Sequence, residues 1–173
     1  RTEVLYLAAS TMPSVDEQTS LYIDVLKAAP AGKIIIRTID AGSDKPVPFL
    51  ALPHEENPAL GVRGFRLTAE HSDFQRSQLR AIAQAIVATE RDVGVMAPMV
   101  STVSDVREFK ALCDEAGITQ VGIMIETPAI VPVMSDLEGL LSFVSIGTND
   151  LSQYLFAADR MHPRLGALND PWQ

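Results

Sequence analysis

A chain of 173 residues that is 47% hydrophobic and 21% charged carries enough apolar material for one buried core, which excludes a disordered chain and favours a single domain over residues 1–173. Its formal net charge of −8, with the 14 basic residues dispersed among 22 acidic ones, argues against a nucleic-acid surface, so any anion must be held by a local cluster. Apolar runs stay far below the roughly 20 residues that cross a bilayer and no signal-like segment opens the chain, so no membrane association and a cytoplasmic location are expected.

Ser14-x-x-Glu17 is a capping-box pattern, and Val15, Leu21, Tyr22, Val25 and Leu26 then recur at helical spacing, predicting a helix over 15–29. Val4 to Ala8 reads as a strand by pattern alone. Lys33 to Ile36 is a short β-branched run that suits a strand buried on both faces. A long proline-rich loop follows from Asp40 to Gly64, then a helix over about 71–89 marked by Phe74, Leu79, Ile82 and Ile86. Val93 to Pro98 predicts a second buried strand. Ser101 or Ser104 can cap the next helix, which Gly117 stops; Cys113 reads as one of its buried residues, and a single cysteine excludes an internal disulfide. Val121 to Glu126 is a third strand, followed by a helix over about 128–140. Phe143 to Gly147 is a fourth, followed by a helix from Leu151 to Ala158. Strands alternating with helices predict an α/β fold with a parallel sheet.

Parallel sheets present working residues at the carboxyl ends of their strands. Arg37 and Asp40 follow the first strand here, Glu126 ends the third, and Asn149 and Asp150 follow the fourth. Glu126 and Asp150 on neighbouring strands would bring two carboxylates within reach of one cation, an arrangement that suits magnesium. The plainer alternative is that Asp150 caps its helix with Gln153 as partner and that Glu126 is a solvated strand end. Arg37, Arg63, Arg66 and Arg160 can bind phosphate or carboxylate in a planar, bidentate geometry, or form surface salt bridges. Arg37 abuts a buried strand and needs a partner, for which Asp40, Asp44 and Lys45 are the nearby charged residues. His54, His71 and His162 read as surface residues, and the glycines match neither a phosphate-binding loop nor a dinucleotide fingerprint.

RTE at the start, then RTIDAGSDK, ENPALGVRGFR, VGIMIETPA and SIGTNDLSQYLFAADR, in this order, resemble the C-terminal phosphoenolpyruvate-binding barrel of Enzyme I of the bacterial sugar phosphotransferase system. The GTNDL element is shared with pyruvate phosphate dikinase and phosphoenolpyruvate synthase, and QYLFAADR is similar to the Enzyme I form. The resemblance implies a TIM (β/α)8 barrel of the phosphoenolpyruvate/pyruvate superfamily, present as about half a barrel, since a full one has eight strands and about 250 residues. It implies that Glu126 and Asp150 ligate Mg2+, that Arg1 and Arg37 hold the phosphoryl group, and that Asn149, Arg63 and Arg160 bind phosphoenolpyruvate with Lys45 close by.

The family passes the phosphoryl group to a histidine of an N-terminal domain and on to the carrier protein HPr. The sequence departs from the family at DAGSDK and LGVR, without loss of a charged residue. Cys113 does not match the family's general-acid cysteine, so no catalytic residue is assigned within 1–173. The resemblance also places Arg1 at the end of a strand, against the pattern reading of Val4 to Ala8. The chain starts at Arg1 without a methionine and stops after a loop, which suggests a piece of a longer protein that binds substrate without turning over alone. Exposed strand edges favour a homodimer. Alternatives are a dikinase or synthase relative and, outside enzymes, a dimerisation or regulatory module.

Overall fold

The computed structural model describes residues 2–6, 9–42, 47–50 and 52–170. Its sheet has four parallel strands, β1 (Ile34–Arg37), β2 (Val93–Ala97), β3 (Val121–Ile125) and β4 (Phe143–Ile146), hydrogen-bonded in the order β1-β2-β3-β4. Helices α1 (Val15–Ala28), α2 (Ser72–Thr89), α3 (Val103–Ala116) and α4 (Thr148–Leu155) alternate with them. One apolar cluster joins the face of the sheet carrying Ile36, Val93, Val95, Val121 and Ile123 to Leu26 of α1, Leu79 and Ile82 of α2, and Phe109 of α3. A doubly wound sheet would reverse its strand order and cover both faces. Sequential strands with helices against one face make a sector of a β/α barrel, about half of the eight-stranded form.

Most elements follow from the sequence, and the differences have identifiable causes. Ser14 and Glu17 form the expected capping box of α1. Helix α3 is capped by Thr102 rather than by Ser101 or Ser104, because Asp105 stands three residues on and returns the hydrogen bond; Gly117 closes it at φ 83°. The segment after β3 is a 3-10 helix, Pro128–Leu137, instead of an α-helix to 140. Pro132 has no N–H for the carbonyl four residues back and its ring crowds that carbonyl, which leaves the tighter winding. Thr2–Leu5 is a 3-10 turn, not the start of a strand over Val4 to Ala8, while Arg1, Leu7 and Ala8 lie outside the described residues.

Burial on both faces holds for β2, whose residues are all buried, and nearly so for β3. It fails at the sheet's edges: Ile35 is 40% exposed in β1, and Val144 and Ile146 are 43% and 63% exposed in β4. On the face away from the helices, Phe143 lies across two glycines. A Cβ at Gly94 would stand 2.6 Å from its ring and one at Gly122 only 2.5 Å, and Lys33 Nζ sits 5.3 Å from the ring centroid. Gly122 and Gly94 thus form a floor that admits an aromatic ring. Gly122→Ala is expected to unseat Phe143 and cost about 1–3 kcal/mol in urea unfolding. Gly166→Ala, whose Cβ meets nothing within 4 Å, should stay within about 0.5 kcal/mol.

Candidate functional site

All four strands end at one rim, where Arg37, Asp40 and Asp150 of the polar residues predicted there meet in an alternating chain of carboxylates and guanidiniums. Arg37, the last residue of β1, donates from Nη2 to Glu3 Oε1 at 2.7 Å, and its Nη1 lies 3.7 Å from Asp40 Oδ2. Glu3 Oε1 also accepts the Asp40 N–H at 3.1 Å, while Thr2 Oγ1 donates to the Arg37 carbonyl at 2.9 Å. The Thr2–Leu5 turn therefore grips the end of β1 through both main chain and side chain. Of the partners expected for Arg37, Asp40 is present but more distant than Glu3; Asp44 and Lys45 lie outside the described residues, as does Arg1.

Arg63 arrives from the loop between β1 and α2. Gly64 takes a left-handed φ of 56°, and a Cβ there would lie 2.8 Å from that of Met99, so only glycine lets this loop settle against the one after β2. Phe65 N donates to the Pro98 carbonyl at 3.0 Å and fixes the approach. Arg63 is only 3% exposed. It binds Asp40 through two bonds, Nε to Oδ1 at 3.1 Å and Nη2 to Oδ2 at 2.7 Å, and reaches both oxygens of Asp150 at 3.3 Å. Burial opposes the charge of Arg63, but the hydrogen bonds and negative charge of Asp40, with Asp150 behind it, outweigh burial and hold the guanidinium protonated. Tyr154 accepts from Arg63 Nη1 at 3.3 Å and donates to the Ala59 carbonyl, tying α4 to the same loop.

Asp150 is not the cap of its helix. Helix α4 starts at Thr148, three residues earlier than expected, with Gly147 at the N-cap and no side-chain cap bond. Asp150 then falls in the first turn, where the helix dipole favours a carboxylate. Its Oδ1 also accepts from Arg160 Nη1 at 3.2 Å. Gln153 does not partner Asp150; its Oε1 accepts the Arg160 N–H at 3.0 Å and holds the end of the site's last turn.

Glu126 is 1% exposed, not a solvated strand end. Its Oε1 accepts the N–H of Met99 at 2.8 Å. Its Oε2 borders Gly147, where a Cβ would come within 2.7 Å. Glu126, Asp150, Arg37, Asn149 and Arg160 line one open cavity of about 350 Å³, with Met96 and Met124 on its wall. Arg63 lies behind this cavity and, with Arg160, borders a second of about 520 Å³ beside Tyr154. Among the described residues no group of three or more His, Cys, Asp or Glu side chains is placed to hold a metal ion, so a cation here would take at most two carboxylates from them and further ligands from water or substrate. That donor set, with Gly147 leaving room at Glu126 Oε2, fits magnesium. Cys113 is buried on α3 with its thiol pushed up to about 12 by burial, so it takes no part.

Glu3, Met99 and Tyr154 were not singled out from the sequence. Glu3 belongs to the RTE motif and Tyr154 to QYLFAADR, which were the signals that could have found them; no motif or spacing marks Met99.

Burial raises the Glu126 pKa from 4.5 to about 7; the Met99 N–H works against this, and the charges of Asp40 and Asp150 add to it. A carboxyl with a raised folded pKa supports the fold fully below its unfolded pKa and loses that support as pH climbs through the folded value. In metal-free buffer, unfolding free energy should therefore fall by on the order of 3 kcal/mol between about pH 4.5 and pH 8 through this group. Glu126→Gln should flatten that slope in urea melts across the range, and an unchanged slope would count against the buried carboxyl as its source.

The family model described as "PEP-utilising enzyme, PEP-binding domain" matches residues 1–173. A phosphoenolpyruvate-protein phosphotransferase of Streptomyces coelicolor is 44% identical over 175 residues, covering 100% of this chain and 32% of that protein. A multiphosphoryl transfer protein of Rhodobacter capsulatus is 41% identical, covering 98% and 21%. A phosphoenolpyruvate-protein phosphotransferase of Latilactobacillus sakei is 39% identical, covering 99% and 32%. The chain thus spans about a third or less of the length of these relatives and belongs to the phosphoenolpyruvate-binding domain family of the phosphoenolpyruvate-utilising enzymes.

Proposed function

We propose that these residues form the substrate-binding part of a phosphoenolpyruvate-protein phosphotransferase of the Enzyme I type, which passes the phosphoryl group of phosphoenolpyruvate to a histidine outside residues 1–173 and from there to HPr. The observation that carries the reading is the single cavity lined by Arg37, Glu126, Asn149, Asp150 and Arg160. Phosphoryl transfer asks little covalent chemistry of a protein and much positive charge, aimed at the phosphoryl oxygens and the developing enolate. Arg37 and Arg1 would hold the phosphoryl group, with Lys45 close by; Asn149, Arg63 and Arg160 would orient the carboxylate and enolate end. Arg160 is 28% exposed and, among the described residues, forms an ion pair with Asp150 alone. It is the guanidinium best able to exchange that carboxylate for the substrate's. Magnesium held by Glu126 and Asp150 would add Lewis-acid charge to the same oxygens.

These 173 residues are proposed to bind substrate without completing turnover, because their only cysteine lies buried on α3 and offers no acid to the enolate. The dikinase or synthase alternative draws no support from the names of the three relatives. Self-association belongs to the same reading and is supported by the exposed Val144 and Ile146 of β4. Among the described residues no helix is long and apolar enough to cross a membrane; a cytoplasmic setting is part of the proposal.

Calorimetric titration of phosphoenolpyruvate with and without Mg2+ tests the assignment. Binding should strengthen with Mg2+, and Glu126→Ala and Asp150→Ala should each remove that gain, a loss of at least about tenfold or 1.4 kcal/mol. Affinity that ignores Mg2+, or survives both substitutions, would sink the reading.

A further inference from the structure

Arg37 lines the cavity, yet its guanidinium has a single close hydrogen-bond partner among the described residues, the Glu3 Oε1 that it meets at 2.7 Å. Its other contacts are longer: Asp40 Oδ2 at 3.7 Å and the Met124 sulfur at 3.9 Å, both on Nη1. An arginine side chain left free pays for its ordering when it binds an anion; one already held by a carboxylate does not. Glu3 is 2% exposed, and its Oε1 takes a second donor, the Asp40 N–H at 3.1 Å, so one atom sets both the guanidinium and the turn that leaves β1.

The other oxygen, Oε2, is buried without a hydrogen-bond partner among the described residues. Such a half-satisfied carboxylate costs stability, and a residue serving only the fold would be better replaced by an apolar or neutral side chain. Local rules broken in this way concentrate at functional sites. We propose that Glu3 is a positioning residue that presets Arg37 for the phosphoryl group of the substrate. The inference rests on the function proposed above, and it assigns Glu3 no contact with substrate.

The sign of the effect separates positioning from plain electrostatics. As a nearby negative charge, Glu3 would repel an anion, and removing it would tighten binding. As a positioner, its removal loosens Arg37 and weakens binding. Phosphoenolpyruvate, inorganic phosphate and pyruvate are titrated calorimetrically into the wild-type chain, E3A, E3Q, R37A and the E3A/R37A double variant, each checked by thermal melting.

E3A is expected to weaken phosphoenolpyruvate and phosphate about tenfold and to leave pyruvate within about twofold, since only the phosphoryl end meets Arg37. E3Q keeps an acceptor for Nη2 and should bind at least as tightly as wild type. On the R37A background, E3A should add less than about twofold. If E3A does not fold, E3D, whose shorter arm cannot reach Nη2, takes its place. Tighter phosphoenolpyruvate binding in both E3A and E3Q, equal losses for pyruvate, or a full further loss on R37A would overturn the positioning role while leaving the proposed function standing. Wild-type chain that binds no phosphoenolpyruvate would overturn both.

Discussion

A buried guanidinium with two carboxylates on it is the constraint from which the rim of this half-barrel is built. Arg63 binds Asp40 through a bidentate pair and Asp150 through two longer bonds while being only 3% exposed. Taking that charge out of water is costly, and only well-placed partners offset the cost. Asp40 leaves β1, Asp150 opens α4 after β4, and Arg63 comes from the long loop between β1 and α2. One side chain therefore joins the first and last strands of the sheet across the rim, over a sequence separation of 87 residues to Asp150.

The same constraint would let an acidic chain offer the proposed site to an anion. Guanidiniums and carboxylates alternate from Glu3 through Arg37, Asp40, Arg63 and Asp150 to Arg160, so each positive charge is already oriented. The two ends differ from the middle. Arg37 and Arg160 are 13% and 28% exposed and line the cavity, whereas Arg63 is sealed behind it. A stiff centre with reactive ends is the arrangement in which preorganised charge acts on a ligand without reorganising at the moment of binding. Glu126 stands apart, held by a main-chain N–H in place of an arginine, and burial raises its pKa further than that N–H and the charge of Arg37 lower it.

Much of this was legible in the sequence, because periodicity reports which faces are buried. Alternating strands and helices, the Ser14–Glu17 cap and the Gly117 stop all carry local signals, and the rim residues followed from the rule about strand ends. Elements set by a choice between local signals were harder. Thr102 wins the α3 cap through Asp105, and Pro132 turns a helical pattern into 3-10 winding. Asp150 could be read as a cap because the helix was expected to start at Leu151, but α4 starts at Thr148. Least legible were contacts between distant segments: Glu3 with Arg37, Met99 with Glu126, Tyr154 with Arg63, and Phe143 resting on Gly94 and Gly122. No spacing rule brings those residues together: the parallel register sets Phe143 beside Gly122, and the loops and turns packed on the rim bring the other partners to the strand ends.

The most direct test of the central claim is a double-mutant cycle in urea unfolding on Arg63→Met and Asp40→Asn. Each single change strands a buried charged or polar partner and should cost about 3–5 kcal/mol, while the double variant should cost less than their sum by at least about 1 kcal/mol. Strictly additive losses, or an Arg63→Met chain as stable as wild type, would contradict the account.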